Sequence, residues 1–275
     1  MEDEGLAALD LLGQARLYNP FVPREWIAPR NDAIAWLQEQ PGIFRISGVS
    51  PPLDVEHPRL DWYVRRYKGD CMPPNLGLPY RLYDIRGRSS LFPAWIREHC
   101  QAVTGNDDIR VLIDYRAAEH RDPRVLRLSP RYVLSPEPLD PDHYTLVRGG
   151  SPAIYESRAA APRAYLSTPG ERPGAEIETY APNEVRIRIT EPRAGDLVLT
   201  DTWYPGWRAF VDGQERPVER VDDLLRAVEV QPGETRVHMV YEPRSFRLGL
   251  FLSLVGVGLV FGAIGNALAQ RKVAS

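Results

Sequence analysis

The densest group of chemically useful side chains is a stretch that holds three aromatic rings beside a Pro-Gly turn. It runs from Asp201 to Trp207 and reads DTWYPGW. Flat, stiff rings bury a large area at a small entropic cost, so they suit the apolar face of a sugar ring. The same rings also suit a hydrophobic plug at one end of a β-sheet core. The stretch therefore predicts either a glycan-binding platform formed by Trp203, Tyr204, Trp207 and Asp201, or a structural plug.

Familiar catalytic motifs are missing from the sequence. It contains no Gly-rich phosphate loop, no Gly-x-Ser-x-Gly, no His-Glu-x-x-His and no Cys-x-x-Cys. The five histidines are scattered without a second ligand at metal-binding spacing, which favours surface or structural roles for them. Catalysis by this chain alone therefore has little support, and the sequence predicts neither a metal site nor a cofactor.

Composition narrows the class of protein further. The chain has 275 residues, 43% of them hydrophobic, and a formal net charge of -3, so it suits one or two globular domains. It lacks the basic excess with which nucleic-acid binders neutralise phosphates, which argues against a nucleic-acid partner. Cys71 and Cys100 are the only cysteines, and they are either one disulfide formed in an oxidising compartment or two separate thiols.

One segment near the C-terminus is long and apolar enough to cross a membrane. No charged residue lies between Leu248 and Gln270, and a membrane-spanning helix needs about 20 apolar residues. Arginines precede the run and Arg271 with Lys272 follow it, so the flanking charges do not choose an orientation. Gly258 and Gly262 form a small-xxx-small pair, which favours packing against a partner helix.

The N-terminal residues do not look like a signal peptide, because they begin with an acidic run and lack a long apolar core. Two topologies remain open. Either the chain is tail-anchored with its bulk in the cytosol, or it is the tail of a longer membrane protein whose earlier spans carry the bulk outside.

The remaining pattern predicts an α+β fold in three parts. Residues 13–165 form a mixed α/β domain, residues 166–243 an antiparallel β-sandwich, and residues 246–270 the transmembrane helix. In the first part, helices are predicted at Asp32 to Gln40 and at Ala94 to Val103. Its short strands are predicted at Phe44 to Val49, Val111 to Tyr115, Tyr132 to Leu134, Tyr144 to Val147 and Ala153 to Glu156.

From Ala175 to Glu242 apolar and polar residues alternate almost without interruption, which is typical of half-buried strands. Asp212-Gly213 and Pro232-Gly233 mark turns between them. Seven strands are predicted, at Ala175 to Tyr180, Glu184 to Thr190, Asp196 to Trp203, Arg208 to Val211, Glu215 to Val218, Leu225 to Val230 and Thr235 to Glu242. Short strands at this spacing indicate a sandwich.

Several blocks of this sequence resemble the YfhO family of bacterial membrane proteins. The most specific block runs from Leu199 to Gly213 and reads LTDTWYPGWRAFVDG, and Tyr241 to Gly249 then leads into the apolar run. Upstream blocks occur in the family's order, namely Tyr18 to Pro20, Pro41 to Arg45, Pro73 to Leu76, Tyr83 to Gly87, Arg131 to Leu134, Ile154 to Glu156 and Pro162 to Leu166. The resemblance covers nearly the whole chain.

That resemblance implies part of a multi-pass glycosyltransferase of the C class. Such enzymes use a polyprenyl-phosphate sugar to glycosylate cell-envelope polymers outside the membrane, and their catalytic carboxylate lies in an early loop of an N-terminal membrane bundle. The present chain corresponds to the extracytoplasmic region and the last span, so no catalytic residue is assigned to it. The upstream blocks mark Asn75, Asp84 and Arg86 as a candidate loop, although the family favours an aromatic and an acidic residue where this chain has Arg88-Ser89.

Two functions are therefore expected. In the first, the chain is the non-catalytic extracytoplasmic segment of a YfhO-like glycosyltransferase and contacts an acceptor glycan or a polyprenyl-phosphate sugar, while a transmembrane bundle encoded upstream supplies catalysis. In the second, it is a membrane-anchored carbohydrate-binding or structural module without a transferase partner. The first places the chain in the cell membrane with its bulk on the extracytoplasmic side.

Overall fold

The computed structural model describes residues 32–49, 74–75, 77–87, 91–105, 115–167, 174–191 and 193–273. The chain divides into two compact units, Met1–Ala160 and Ala161–Ser275. This boundary lies slightly before the expected one at residue 165. The expected α+β fold is confirmed, with three sheets and one apolar C-terminal helix.

In its described residues, the first unit contains three short α-helices, two single-turn 3-10 helices and a five-stranded mixed sheet. The α-helices are α1 (Asp32–Gln38), α2 (Ala94–Thr104) and α3 (Pro123–Arg127). The strands are β1 (Arg45–Gly48), β2 (Tyr83–Asp84), β3 (Pro130–Ser135), β4 (Tyr144–Arg148) and β5 (Ala153–Ser157). Their order is β2-β1-β3-β5-β4, with β1 parallel to both of its neighbours and the other pairs antiparallel. Apart from Tyr115, the strand predicted at 111–115 lies outside the described residues.

The spacing of apolar residues explains how α1 packs. Ala33, Ile34 and Leu37 lie three or four positions apart on one helical face, and all three are buried. They pack with Ile46 of β1 and Leu134 of β3 in one core cluster. This helix covers one face of the sheet, as expected for a layered α/β unit.

The second unit is an antiparallel sandwich built from two sheets. Its strands are β6 (Ala164–Ser167), β7 (Ala175–Ala181), β8 (Glu184–Ile189), β9 (Gly195–Thr202), β10 (Trp207–Val211), β11 (Gln214–Arg216), β12 (Glu219–Val221), β13 (Leu225–Val230) and β14 (Arg236–Tyr241). One sheet has the order β11-β10-β14-β8-β7 and the other β12-β13-β9-β6. All seven predicted strands are present with small changes at their ends. Strands β6 and β12 were not predicted.

Alternation in the sequence positions the core between the two sheets. In β8, Val185, Ile187 and Ile189 are buried, whereas Arg186 and Arg188 face solvent. The buried residues of both sheets belong to one cluster. It comprises Ala164, Leu166, Leu197, Leu199, Val228 and Val230 from the four-stranded sheet and Val185, Ile187, Ile189, Ala209, Val211, Val237 and Met239 from the five-stranded sheet.

The last element is the long apolar helix α4 (Arg244–Val273). Its segment Arg244–Ala263 has a mean hydropathy of 1.9, and none of that segment is buried inside the protein. Among the described residues this is the one helix long and apolar enough to cross a membrane. At about 1.5 Å per residue it exceeds a hydrocarbon core of about 30 Å.

Deleting Leu248 to Ser275 should release the chain from the membrane, because burial of each large apolar side chain contributes roughly 1.5–3 kcal/mol. Carbonate washing of membranes, followed by detection of the chain in pellet and supernatant, measures this. The full-length chain is the control and should stay in the pellet. Recovery of the truncated chain in the washed pellet would show that another segment holds it there.

Candidate functional site where the sandwich meets the helix

The sandwich continues into α4 almost without a connecting segment. Strand β14 ends at Tyr241 and α4 begins at Arg244, so only Glu242 and Pro243 lie between them. The carbonyl of Pro243 accepts a hydrogen bond from the backbone N–H of Phe246 at 3.1 Å, which starts the helix immediately. The last strand therefore fixes where the apolar helix begins.

The turn around Gly206 packs directly against this junction. The Glu242 N–H donates a 2.8 Å hydrogen bond to the Gly206 carbonyl. Gly206 has φ +109°, and a Cβ at this position would lie 2.9 Å from Cβ of Pro243 and 3.1 Å from the Tyr241 ring. Both the backbone conformation and the close approach require glycine.

The three rings of the aromatic stretch divide between two sets of neighbours. Tyr204 and Trp207 both contact the Tyr241 ring, with centroid distances of 6.4 Å and 5.4 Å. The indole N–H of Trp203 instead donates to the Val218 carbonyl at 3.1 Å. Tyr204 is 46% exposed, whereas Trp203 and Trp207 are half-buried. The structure brings Tyr204 and Trp207 together at the junction and places Trp203 elsewhere.

Asp201 lies inside the sandwich in a buried ionic cluster. Its Oδ1 accepts from Arg163 Nη2 at 2.6 Å, and its Oδ2 accepts from Arg226 Nη2 at 2.6 Å. The Tyr180 hydroxyl lies 3.0 Å from Oδ2 and also receives a bond from Arg163. At most a tenth of the Asp201, Arg163 or Arg226 side chain is exposed, so this carboxylate organises two buried cations.

One guanidinium of this buried cluster contacts Trp207. The cluster contains two guanidinium groups and one carboxylate, and arginine stays protonated in proteins. Burial lowers the pKa of Arg226, and Asp201 opposes that change. The Arg226 guanidinium carbon lies 3.8 Å from the Trp207 ring centroid, and its Nε and Nη1 find no hydrogen-bond partner among the described residues. The Arg226 guanidinium therefore contacts the Trp207 ring while its Nη2 is ion-paired with Asp201.

A cleft of about 600 Å³ opens at the junction. Its lining residues are Pro205, Gly206, Trp207, Arg208, Glu215, Glu242, Pro243, Arg244, Ser245 and Arg247. Arg208 donates two 2.7 Å bonds to Glu215 and one 2.9 Å bond to Glu242. Arg247 donates to the same Glu242 at 3.0 Å.

The cleft lining also favours a negatively charged ligand. Three arginines face two glutamates. The hydrogen bonds from Arg208 lower the pKa of Glu215, which keeps that carboxylate ionised. The cleft lining therefore has more positive than negative charge, and guanidinium groups bind phosphate or carboxylate well.

Residues 169–253 match the family model described as bacterial membrane protein YfhO. The YfhO match extends from just before β7 into the start of α4, so it includes the Gly206 turn, the junction and every residue that lines the cleft. The resemblance noted in the sequence is confirmed over this range. No curated protein and no solved structure was found to match the chain.

The candidate loop lies upstream of the YfhO match, in the first unit. Arg86 is buried and donates from Nε and Nη2 to the two carboxylate oxygens of Asp84, at 3.1 Å and 2.8 Å. Burial raises the pKa of Asp84, and the Arg86 guanidinium opposes that rise. Asn75 has φ +70°, and its carbonyl accepts from the Leu78 N–H at 3.2 Å. Asp84 and Arg86 form an internal pair that shapes this loop.

A buried histidine of the first unit was not singled out by sequence reasoning. His120 Nδ1 lies 2.8 Å from the Arg116 carbonyl, and Nε2 lies 2.9 Å from Ser47 Oγ. Because a carbonyl only accepts, Nδ1 carries the proton and Nε2 accepts from the serine. Desolvation lowers the pKa of His120 to about 4, so the ring is neutral at pH 7.

Of the two cysteines, only Cys100 lies within the described residues. It is a buried free thiol whose Sγ lies 3.7 Å from Oη of Tyr115. Within the described ranges, no group of three or more His, Cys, Asp or Glu side chains is arranged to hold a metal ion.

Gly206→Ala should destabilise the sandwich by about 1–3 kcal/mol more than Gly213→Ala. Both glycines have positive φ, but a Cβ at Gly213 meets nothing within 4 Å, whereas one at Gly206 meets Pro243. Gly213→Ala thus controls for backbone strain alone. Denaturant unfolding of both full-length variants in detergent, followed by near-UV circular dichroism, measures the difference. If the two variants lost the same free energy of unfolding, the junction would be shown to tolerate the added methyl group.

His120 should make the first unit less stable as pH falls from about 6.5 to 4. In this range the unfolded chain binds a proton at this residue and the folded chain does not, so the free energy of unfolding falls on acidification. The expected loss is on the order of 3 kcal/mol. Denaturant unfolding of the parent and of His120→Gln at pH 7 and pH 5 tests this, since only the parent carries this dependence. Identical pH dependence in both proteins would contradict it.

Proposed function

We propose that this chain is the non-catalytic, extracytoplasmic part of a YfhO-like membrane glycosyltransferase, and that its junction cleft binds the phosphate of a lipid-linked sugar. The observation that carries the proposal is an arginine-rich cleft that includes the first turn of the apolar helix. Support comes from the position of the cleft, its charge and the state of its carboxylates.

The cleft lies at the level where a lipid phosphate resides. The uncharged run begins at Leu248, and Ser245 and Arg247 line the cleft one turn or less before it. Arginines at such positions lie among the headgroups, because burial of their charge in hydrocarbon is costly. A polyprenyl phosphate in the same leaflet would reach the cleft without leaving the bilayer.

Two of the arginines suit phosphate binding better than the third. Arg208 donates to both Glu215 and Glu242, which engage its guanidinium on two sides. Arg247 bonds one carboxylate, and Arg244 is exposed at the start of the helix. Guanidinium groups bind phosphate through paired, charge-assisted hydrogen bonds. Arg244 and Arg247 are therefore the proposed phosphate contacts, with Trp207 beside the sugar.

The carboxylates of the cleft are poor candidates for a catalytic base. Glu215 and Glu242 are both held by Arg208, and the lowered pKa of Glu215 weakens it as a proton acceptor. The proposal therefore assigns binding to this chain and catalysis to a transmembrane bundle encoded upstream.

A second candidate function is a membrane-anchored carbohydrate-binding module without a transferase partner. A groove of about 720 Å³ on the five-stranded sheet of the second unit favours this carbohydrate-binding function. Phe210 and His238 lie on its floor with centroids 6.2 Å apart, and the Arg208 guanidinium lies 5.0 Å from the Phe210 centroid. Aromatic faces flanked by polar groups suit a sugar ring.

The double variant Arg244→Gln/Arg247→Gln should weaken binding of polyprenyl phosphate at least about tenfold, since a hydrogen bond to a charged group contributes about 1.5–3 kcal/mol. Titration of full-length chain in lipid nanodiscs, followed by tryptophan fluorescence, measures this. Arg186→Gln/Arg188→Gln is the matched control, because both arginines are exposed on β8, outside the cleft lining.

Three results would count against the proposed site. They are equal affinity for uncharged polyprenol, equal loss in the control variant, and no binding by the parent. Oligosaccharide binding that Phe210→Ala abolishes would instead favour the carbohydrate-binding module.

A further inference from the structure

We propose that the turn containing Tyr204 and Pro205 is a second membrane contact, which lies in the headgroup region beside the first turn of α4 and holds the sandwich against an anionic lipid surface. The partner is the bilayer itself. This inference goes beyond the proposed function, because it requires neither a lipid-linked sugar nor a transferase. This surface, called the membrane seat, consists of Tyr204, Pro205, Arg244, Phe246 and Arg247.

The first support is the position of the turn along the helix axis. Pro205 lines the same cleft as Ser245 and Arg247, so the tip of the turn lies level with the first helical turn. The Tyr204 ring lies 6.4 Å from the Tyr241 ring at the end of β14. Since Leu248 begins the uncharged run, this level corresponds to the boundary between headgroups and hydrocarbon.

The second support is the chemistry of the exposed surface. Tyr204 is 46% exposed although it is large and aromatic, and Phe246 in the first turn of α4 is 68% exposed. Tyrosine is enriched at membrane interfaces because its ring is apolar and its hydroxyl remains hydrated. The seat therefore presents apolar rings together with the cations of Arg244 and Arg247.

The third support is rigidity. The Gly206 carbonyl accepts from the Glu242 N–H, and Gly206 leaves no room for a Cβ against Pro243. Glu242 also accepts hydrogen bonds from Arg208 on β10 and from Arg247 on α4, which ties strand to helix. The tip cannot leave the level of the helix start unless the junction opens.

The charged residues near the two ends of β10 indicate which end of the sandwich faces the lipid. Trp207 starts this strand at the junction, and the Asp212-Gly213 turn follows its other end. At about 3.3 Å per residue, the two ends lie roughly 15 Å apart. Arg244 and Arg247 lie at the junction end, and arginines near anionic lipid each contribute about 1 kcal/mol of attraction. At the other end Asp212 is accompanied by Arg236, so the charges there balance. The junction end therefore faces the membrane and the Asp212-Gly213 turn faces away.

Spin labels at two positions test the proposed seat. One is attached at Tyr204→Cys and one at Gln214→Cys, an exposed residue that begins β11 and pairs with Val211 at the far end of β10. Both are made in full-length chain carrying Cys71→Ser and Cys100→Ala, with its melting temperature compared with that of the parent. The chain is placed singly in phosphatidylcholine nanodiscs with and without phosphatidylglycerol, none of which contains polyprenyl lipid. Relative accessibility to oxygen and to a water-soluble nickel chelate is then measured.

The label at position 204 should favour oxygen over the nickel chelate by about fivefold relative to the label at 214, and more strongly when phosphatidylglycerol is present. Equal nickel accessibility at both positions would overturn the proposal. Protection at 204 that appears only when two copies share a disc would also overturn it, because the partner would then be protein. Since no polyprenyl phosphate is present, failure here leaves the proposed phosphate site unaffected.

Discussion

The close approach of Gly206 to Pro243 is the constraint on which the second unit depends. It allows β14 to continue into the apolar helix after two residues, with the turn between β9 and β10 packed against the point of transition. Any other residue at 206 would place a Cβ against Pro243 and the Tyr241 ring. The cleft, the position of Tyr204 and the Glu242 ion pairs all follow from this contact, because each requires turn and helix to lie together.

A second constraint is the burial of charge beside the same turn. Asp201 lies inside the sandwich, where Arg163, immediately before β6, and Arg226 on β13 bind it from the two neighbouring strands. Removing one partner of such a cluster typically costs 3–5 kcal/mol, although the intact cluster adds little net stability. Its value here is therefore better understood as fixing the position of Trp207, on which the Arg226 guanidinium stacks.

Alternation was enough to predict β8 and β14, because each has one face in the core and a more exposed face opposite. Strand β9 was predicted too, although its residues 197–201 are buried on both faces. Alternation missed β12, whose three residues are mostly polar and lie at a sheet edge, and β6, which is only four residues long. The sequence also pointed to three aromatic rings without showing that Trp203 follows the end of β9 in one sheet, whereas Trp207 begins β10 in the other. Residues only four positions apart can lie on opposite sides of a tight turn and have different neighbours. Their spacing along the chain does not reveal that separation. The buried position of His120 could not be predicted either, because its hydrogen-bond partners Ser47 and Arg116 come close to it only in the folded chain.

The two charge arrangements at the junction differ in what they permit. In the buried cluster, cations and carboxylate are desolvated and locked, so Asp201 cannot reach a ligand without breaking two short hydrogen bonds. At the cleft, the arginines are partly or largely exposed and retain donors for an incoming anion. Trp207 lies between these arrangements, in contact with Arg226 and lining the cleft. In the proposed function, an anion at Trp207 would therefore lie between partly exposed arginines on the solvent side and the Arg226 guanidinium, held by Asp201, on the protein side, which favours binding over proton transfer.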